Sequence, residues 1–461
     1  MAVRTFIDKD FLLTNDAARE LYHTYAASLP IVDYHNHIDP RAIALDKRYE
    51  DMGELWVVSD PYKHRAMRIY GIPENRVSGD AGRRNKFDAW AEACPYTMGN
   101  PLYHWSALEL QRVFGIDELL CPDNASSVWE RCNNLLRQEE YSTIGILRKW
   151  QVELLCTSDD LLDDVSVHQR ASLAAGFSVL PSLRADSILA MAAGWLNRLS
   201  DVPVKSLDDY LQAVSIRLDA FDAAGCRLAD HALDNGFRFV LPAKAKAERI
   251  FADLLQGGEG TGDDNVQLRS YLLYWLACEY ARRGWVMQLH LGAERFTSSR
   301  LRRLAGPAGG YATIGNNVGV RSLCDLLDRL EMDASLPRTI LYSLNPADHA
   351  VLATLTGSFI EDGVGSRLQC GPAWWYNDHQ EGIEQCLRAI SSYGLLSRFI
   401  GMTTDSRSIL SFSRHEYFRR ILCNYIGRLI ESRELPDDMQ WGGRMVQDIS
   451  YKNAKKWCFN K

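Results

Sequence analysis

Several things that would narrow the class of this chain at once are missing from it. Its eleven cysteines never fall in a Cys-x-x-Cys spacing, which disfavours a zinc-finger module. Their odd number and scatter disfavour a disulfide framework. There is no excess of positive charge: 52 Lys and Arg against 59 Asp and Glu leave a net charge of −7, so the basic face of a nucleic-acid binder is not expected. An acidic chain can still hold a locally basic pocket, and an anionic substrate stays open. No apolar run approaches the ~20 residues of a membrane span, so no membrane association is expected. Arg4, Asp8, Lys9 and Asp10 interrupt what would be a signal-peptide core, which makes the reducing cytoplasm the expected location. Internal repeats, low-complexity tracts and long flexible linkers are absent too.

What is present is a rhythm. Short apolar runs recur at Ile31–Tyr34, Val152–Cys156, Phe177–Leu183, Trp285–Leu291, Thr339–Leu344, Ser366–Cys370 and Arg398–Thr404, with helical patterning between most of them. That is the βα alternation of a parallel sheet. Gly225–His231 and Phe237–Leu241 both qualify as the fourth strand, and taking one of them gives eight. The expected fold is α/β: one elaborated (β/α)8 barrel spanning residues 1–461, with a doubly wound open sheet as the alternative. Residues 41–150 lack β-branched alternation and are rich in helical patterning, Trp and Tyr. They read as a helical insertion after strand one that caps its C-terminal end. Near the N-terminus, Asn15 or Asp16 caps an expected short helix over Ala17–His23.

The stretch Asp33-Tyr-His-Asn-His37 carries the first chemical signal. Side chains two apart on a strand point the same way, so His35 and His37 can converge on one metal ion. In a barrel, chemistry gathers at the C-terminal ends of the strands. Arg184, Asp230, His231, His290, Arg295, Asp405 and Arg407 all fall at or just beyond such ends. Two histidines and a carboxylate supply neutral nitrogen and anionic oxygen to a divalent ion and leave coordination positions open. Zinc suits that set, and manganese or iron would also bind it. Arg184, Arg295 and Arg407 can each grip a carboxylate through a planar fork, which favours an anionic substrate. Tyr62, at the start of the insertion, could relay a proton if the insertion folds over the barrel. Trp374 and Trp375, in Trp374-Trp-Tyr376, are either core or a wall on which a sugar stacks.

Taken together these segments resemble the uronate isomerases, a branch of the amidohydrolase superfamily. The likeness runs through Asp33–His37, Asp60-Pro-Tyr-Lys-His-Arg-Ala-Met-Arg68, Gly99-Asn-Pro-Leu-Tyr-His-Trp105, Cys156-Thr-Ser-Asp-Asp160, Gln288-Leu-His-Leu-Gly-Ala293, Gly371-Pro-Ala-Trp-Trp-Tyr-Asn-Asp378, Thr404-Asp-Ser-Arg407 and Arg414-His-Glu-Tyr-Phe-Arg-Arg420. The resemblance implies a distorted (β/α)8 barrel and an aldose–ketose isomerase for D-glucuronate and D-fructuronate, and for D-galacturonate and D-tagaturonate. It implies one divalent ion on His35, His37 and Asp405. Tyr62, Arg184, His290, Arg295 and Arg407 would act on the substrate and its protons, with Asp405 as the base. One departure stands out: the family's Ser-Asp-His-Gly at strand four is Ala229-Asp-His-Ala232 here, which favours the first strand-four candidate but trades a permissive glycine for alanine.

Two other functions remain to be separated from this one. A metal-dependent hydrolase of the same superfamily, a lactonase or amidase, would use a strand-four lysine to bridge two metals. Lys244 could serve only if Phe237–Leu241 were the strand. A non-catalytic sugar-acid sensor would not need metal ligands and proton-transfer groups together. The expected partner is a small hexuronate, and a homo-oligomer is compatible with the sequence.

Overall fold

The computed structural model of the chain describes residues 5–200, 203–258 and 260–460. Seven strands form one sheet in sequential order: β1 (Ile31–Asn36), β2 (Val152–Asp160), β3 (Ser178–Arg184), β4 (Leu228–Asp234), β5 (Val286–Leu291), β6 (Thr339–Ser343) and β7 (Leu368–Cys370). Every neighbouring pair is parallel. Helices cover the outside, so these strands are buried on both faces and rich in Val, Ile and Leu. One face of the curled sheet lines the barrel interior with Val32, Tyr34, Cys156, Leu228, Val286, Ile340 and Tyr342. The other packs Leu155, Val179, Ala229, Met287, Leu289 and Leu341 against the helices.

The eighth position is not a strand. Residues 399–406 run between β7 and β1 without regular ladder bonding. Gly401 explains part of this: its φ is +71°, and a Cβ there would lie 2.1 Å from the Ile449 carbonyl oxygen. Only glycine tolerates both conditions, and the left-handed residue breaks the pleat. Side chains and two isolated backbone bonds tie the seam instead, one of the latter running from the His37 amide to the Ser406 carbonyl at 2.9 Å. The His35 amide donates to Thr403 Oγ1 (2.8 Å), the Thr404 amide to Asp33 Oδ2 (2.9 Å) and the Asp405 amide to the His35 carbonyl (3.0 Å). Tyr34 Oη reaches the Gly401 carbonyl at 3.0 Å.

The fourth strand is the first of the two candidates. Residues 237–241 form no strand; the chain turns at Gly236 (φ +78°), and the Val240 amide is held by Ser270 Oγ at 3.0 Å. Ala232 pairs in register with His290 and does not have a positive φ. The irregularity falls at Asp234 (φ +46°) instead, which is why alanine is tolerated at 232.

Between β1 and β2 the chain is helical from Pro40 to Lys149. Two of these helices matter for the site. Helix α1 (Pro61–Tyr70) has Pro61 in its first turn and Asp60 as N-cap, whose Oδ1 accepts from the Tyr62 and Lys63 amides. Helix α2 (Pro101–Phe114) repeats the device with Asn100 and Pro101. The long α3 (Ser413–Glu431) follows the eighth segment. Asn15 is the cap of the N-terminal helix, Asp16–Glu20, which continues as a wider π-turn through Ala26. Among the described residues no helix is long and apolar enough to cross a membrane.

Candidate active site

The strand phase decides which polar residues reach the barrel mouth. On β4, Leu228 faces the interior, so Asp230 does as well and His231 faces out. His231 is fully buried against Tyr280, whose hydroxyl lies 3.1 Å from its Nε2, and it has no part in the site. On β5, Val286 and Gln288 point inward and bring His290 with them. On β1, Val32 and Tyr34 point inward, and strict alternation would turn His35 away. The pairing with β2 slips between Asp33 and Asn36, and this bulge returns His35 to the mouth.

The result is a cavity of about 270 Å³ lined by His35, His37, Tyr62, Arg184, Asp230, His290, Arg295, Trp374, Trp375, Asp405 and Arg407. All ten residues singled out from the sequence as site candidates are therefore brought to one cavity. Asp230 joins them, read from sequence only as a strand-end residue.

His35 Nε2 and His37 Nε2 lie 3.4 and 3.0 Å from Asp405 Oδ1. Asp405 has φ +48°, a left-handed conformation that Asp adopts more readily than most residues. Trp374 Nε1 donates to its other oxygen at 2.7 Å. Burial pushes the Asp405 carboxyl up, but hydrogen bonds and charge from His35 and His37 outweigh it and hold the group well below the carboxylate range. Burial likewise pushes His35 down, and Asp405 and Asp230 together reverse the direction. Burial dominates at His37 and takes it down to about 4, a neutral ligand. A divalent cation fits this donor set: two imidazole nitrogens and a carboxylate oxygen converge, all within 4.8 Å of one another. A second set, His35, Asp230 and His290, adjoins it. His35 Nδ1 lies 4.0 Å from Asp230 Oδ1, and His35 Nδ1 and His290 Nε2 are buried without partners.

Three arginines line the same cavity. Arg184 Nε bonds Asp186 (2.9 Å) and Arg295 Nε bonds Asp234 (2.5 Å), while Arg295 also lies over the Trp375 ring at 5.4 Å. Arg407 finds no hydrogen-bond or ion-pair partner among the described residues. Burial and the charges of Arg184 and Arg295 push it down, with Asp405 pulling the other way. His290 stacks on Tyr342 with ring centroids 4.4 Å apart and packs against Trp374 at 4.7 Å. Burial pushes the Tyr62 phenol far up, so it holds its proton.

Three buried groups around this cavity were not singled out from the sequence. Asp33, within the His-x-His stretch, is fully buried and bonds across the seam to Thr403, Thr404 and His415. Asp378 and Arg414 lie behind Tyr62. Strand phase was the available signal for Asp230; for the others nothing local distinguishes a buried charge from a surface one. Lys244 starts an exposed helix and pairs with Asp208 at 2.8 Å, far from any strand end.

Comparison with known proteins gives the family. The family model for glucuronate isomerase matches residues 3–458. The uronate isomerase of Caldanaerobacter subterraneus subsp. tengcongensis is 43% identical over 464 residues, covering 99% of each chain. The structure of the Thermotoga maritima uronate isomerase superposes with a TM-score of 0.92 at 30% identity, over 99% of this chain and 100% of that one. The glucuronate isomerase of Caulobacter crescentus gives 0.89 at 25% identity, over 98% and 96%. With its fold and its whole length in common with these proteins, the chain belongs to the glucuronate isomerase family.

Proposed function

We propose that this chain interconverts D-glucuronate and D-fructuronate, and D-galacturonate and D-tagaturonate, with one divalent ion, zinc, held by His35, His37 and Asp405. The observation that carries the reading is the content of the cavity: a cation-binding donor set, three guanidinium groups, a carboxylate held deprotonated and a phenol held protonated. A bound zinc would supply Lewis-acid charge to substrate oxygens.

The residues divide the work. Arg184, Arg295 and Arg407 balance the sugar carboxylate and the charge that develops on oxygen, and the Trp374–Trp375 wall orients the sugar chain. Asp405, kept in its base form and aided by a substrate hydroxyl, takes the C2 proton. Tyr62, kept in its acid form, gives a proton to the C1 oxygen as that carbonyl becomes a hydroxyl. The Tyr62 phenolate then takes the O2 proton, which makes C2 the carbonyl and restores the phenol, and the proton held by Asp405 returns to C1. Groups whose environments push their proton affinities apart are suited to such acid and base assignments. His290, buried and neutral, completes the wall near the reacting carbons.

The hydrolase alternative is not favoured, because Lys244 is on an exposed helix and cannot bridge two ions at the mouth. The test is direct. Folded, metal-loaded protein is incubated with D-glucuronate and, in parallel, D-galacturonate, and ketose formation is followed. No product from either refutes the isomerase. Asp405→Asn is expected to lower turnover by at least about 100-fold, and turnover within a few-fold of the parent would remove Asp405 from the role of base.

A further inference from the structure

Three of the sequence segments that carry the family likeness contain residues with no part so far in the chemistry. They are the segment ending at Trp105, the segment ending at Asp378 and the one beginning at Arg414. The fold brings all three together behind Tyr62. Arg414, in the first turn of α3, is 2% exposed. Its guanidinium lies 4.9 Å from the Tyr62 ring centroid and 3.9 Å from that of Trp105 on α2, and the two rings meet edge to face at 5.7 Å. Its Nη1 donates to the Thr404 carbonyl at 3.2 Å, one residue before Asp405, and lies 3.5 Å from Asp378 Oδ2.

A buried arginine normally closes a bidentate pair. Here it does not: Arg414 Nε and Asp378 Oδ1 are both buried and without partners. The guanidinium plane is spent mainly on two aromatic faces and one carbonyl, and its counter-ion is met through a single long Nη1 contact. It therefore links the insertion that carries Tyr62 to the turn that carries Asp405.

We propose that Arg414 is a positioning residue for the isomerisation, holding the Tyr62 phenol at a fixed distance from the Asp405 turn so that proton donation to the C1 oxygen and abstraction from C2 act on one bound substrate. It touches no substrate itself. The inference rests on the reading of Tyr62 as the proton donor. Its physical content is that misplacing a reacting group by about 1 Å costs on the order of 100-fold in rate, while substrate binding by the three cavity arginines is untouched.

The test is a double-mutant cycle with Tyr62→Phe. Arg414→Met is expected to lower kcat about 100-fold with KM and zinc content within threefold of the parent, and Arg414→Lys to fall between. In a Tyr62→Phe background, Arg414→Met is expected to cost less than threefold, because the group it positions is already gone. If Tyr62→Phe alone retains near-parental kcat, the reading of Tyr62 fails and the proposal falls with it. If Tyr62→Phe is impaired but the two losses multiply, only the proposal fails. Arg414→Met leaves Asp378 as an unpaired buried carboxylate, which threatens folding. Arg414→Met/Asp378→Asn removes both charges, and the same coupling with Tyr62→Phe is expected from it. Independent losses in that folded variant overturn the proposal.

Discussion

Asp33 offers the sharpest test of how the barrel closes. Its side chain is fully buried where regular strand pairing stops. Oδ2 accepts from the Thr404 amide and faces His415 Nε2, both at 2.9 Å. Oδ1 accepts from Thr403 Oγ1 and Asn36 Nδ2, both at 3.1 Å. Asp33→Asn keeps the shape. The new amide nitrogen must avoid the Thr404 N–H, which cannot reverse, so it turns toward Thr403 and Asn36. The Thr403 hydroxyl can give its hydrogen to the His35 carbonyl instead, but Asn36 is pinned by the Ile38 amide and loses its bond. What is lost at the other bonds is charge assistance, the difference between about 1.5–3 kcal/mol for a bond to a charged group and about 1 kcal/mol for a neutral one. Over the four bonds, and allowing for non-additivity, the expected cost is about 2 kcal/mol. Asp33→Ala strands the Thr404 amide and its neighbours in a dry seam at about 1–3 kcal/mol each, for a total of about 4–5 kcal/mol. Urea unfolding followed by circular dichroism reads both. Because Thr404 precedes Asp405 and His35 is two residues from Asp33, the alanine variant is also expected to bind zinc at least tenfold more weakly. An alanine variant within about 1 kcal/mol of the parent, with zinc affinity intact, would refute the claim that side chains replace the missing ladder.

Trp374→Phe removes the indole donor to Asp405 Oδ2 and keeps a ring in place. A bond to a charged group is worth about 1.5–3 kcal/mol, so kcat is expected to fall at least about tenfold, and unchanged steady-state kinetics would contradict this. Asp230→Asn weakens the carboxylate that faces His35 Nδ1, and such partners usually account for about 10–100-fold in metal affinity; chelator competition is expected to show that loss with one ion per chain, and two ions would contradict it. Burial pushes the Asp378 carboxyl up to about 7 against the pull of Arg414. The native state therefore holds this proton between about pH 4, where the unfolded chain releases it, and about pH 7, so this group's contribution to stability is lost as pH rises through that window. Asp378→Asn is expected to flatten the pH dependence of the unfolding free energy there, and an unchanged slope would refute the assignment.

Most strands were legible because apolar runs at βα spacing permit few other folds, and their polar ends then fell where a barrel gathers chemistry. At β4 the sequence put Asp230 and His231 together at the strand end, and it is the structure, with Leu228 facing inward, that sends Asp230 inward and His231 outward. The eighth segment was not legible. Ile400, Met402, Thr403 and Thr404 have strand composition, and what defeats the strand is Gly401 against the Ile449 carbonyl, a contact 48 residues further on. The β1 bulge is similarly invisible. His-x-His suggests two side chains on one face of a regular strand, whereas His35 reaches the mouth because the strand is irregular. The reading of His35 and His37 as neighbours in space was thus reached through a regularity that the fold does not have.

Arg414 and Asp378 escaped notice for a different reason. A charge in sequence is most economically read as solvated, and only tertiary packing shows otherwise. Their placement also bears on why this cavity suits isomerisation. Hydrolysis at such a donor set needs a water positioned for attack; proton transfer between adjacent carbons needs a separate acid and base and no attacking water. Here the wall facing the Asp405 turn is a phenol backed by Trp105 and a buried guanidinium. Beyond the histidines and carboxylates, the lining is dominated by three arginines, which suit an anion, and two tryptophans. Opening that wall is the change that would favour hydrolysis, and Arg414 is the residue that keeps it closed on Tyr62.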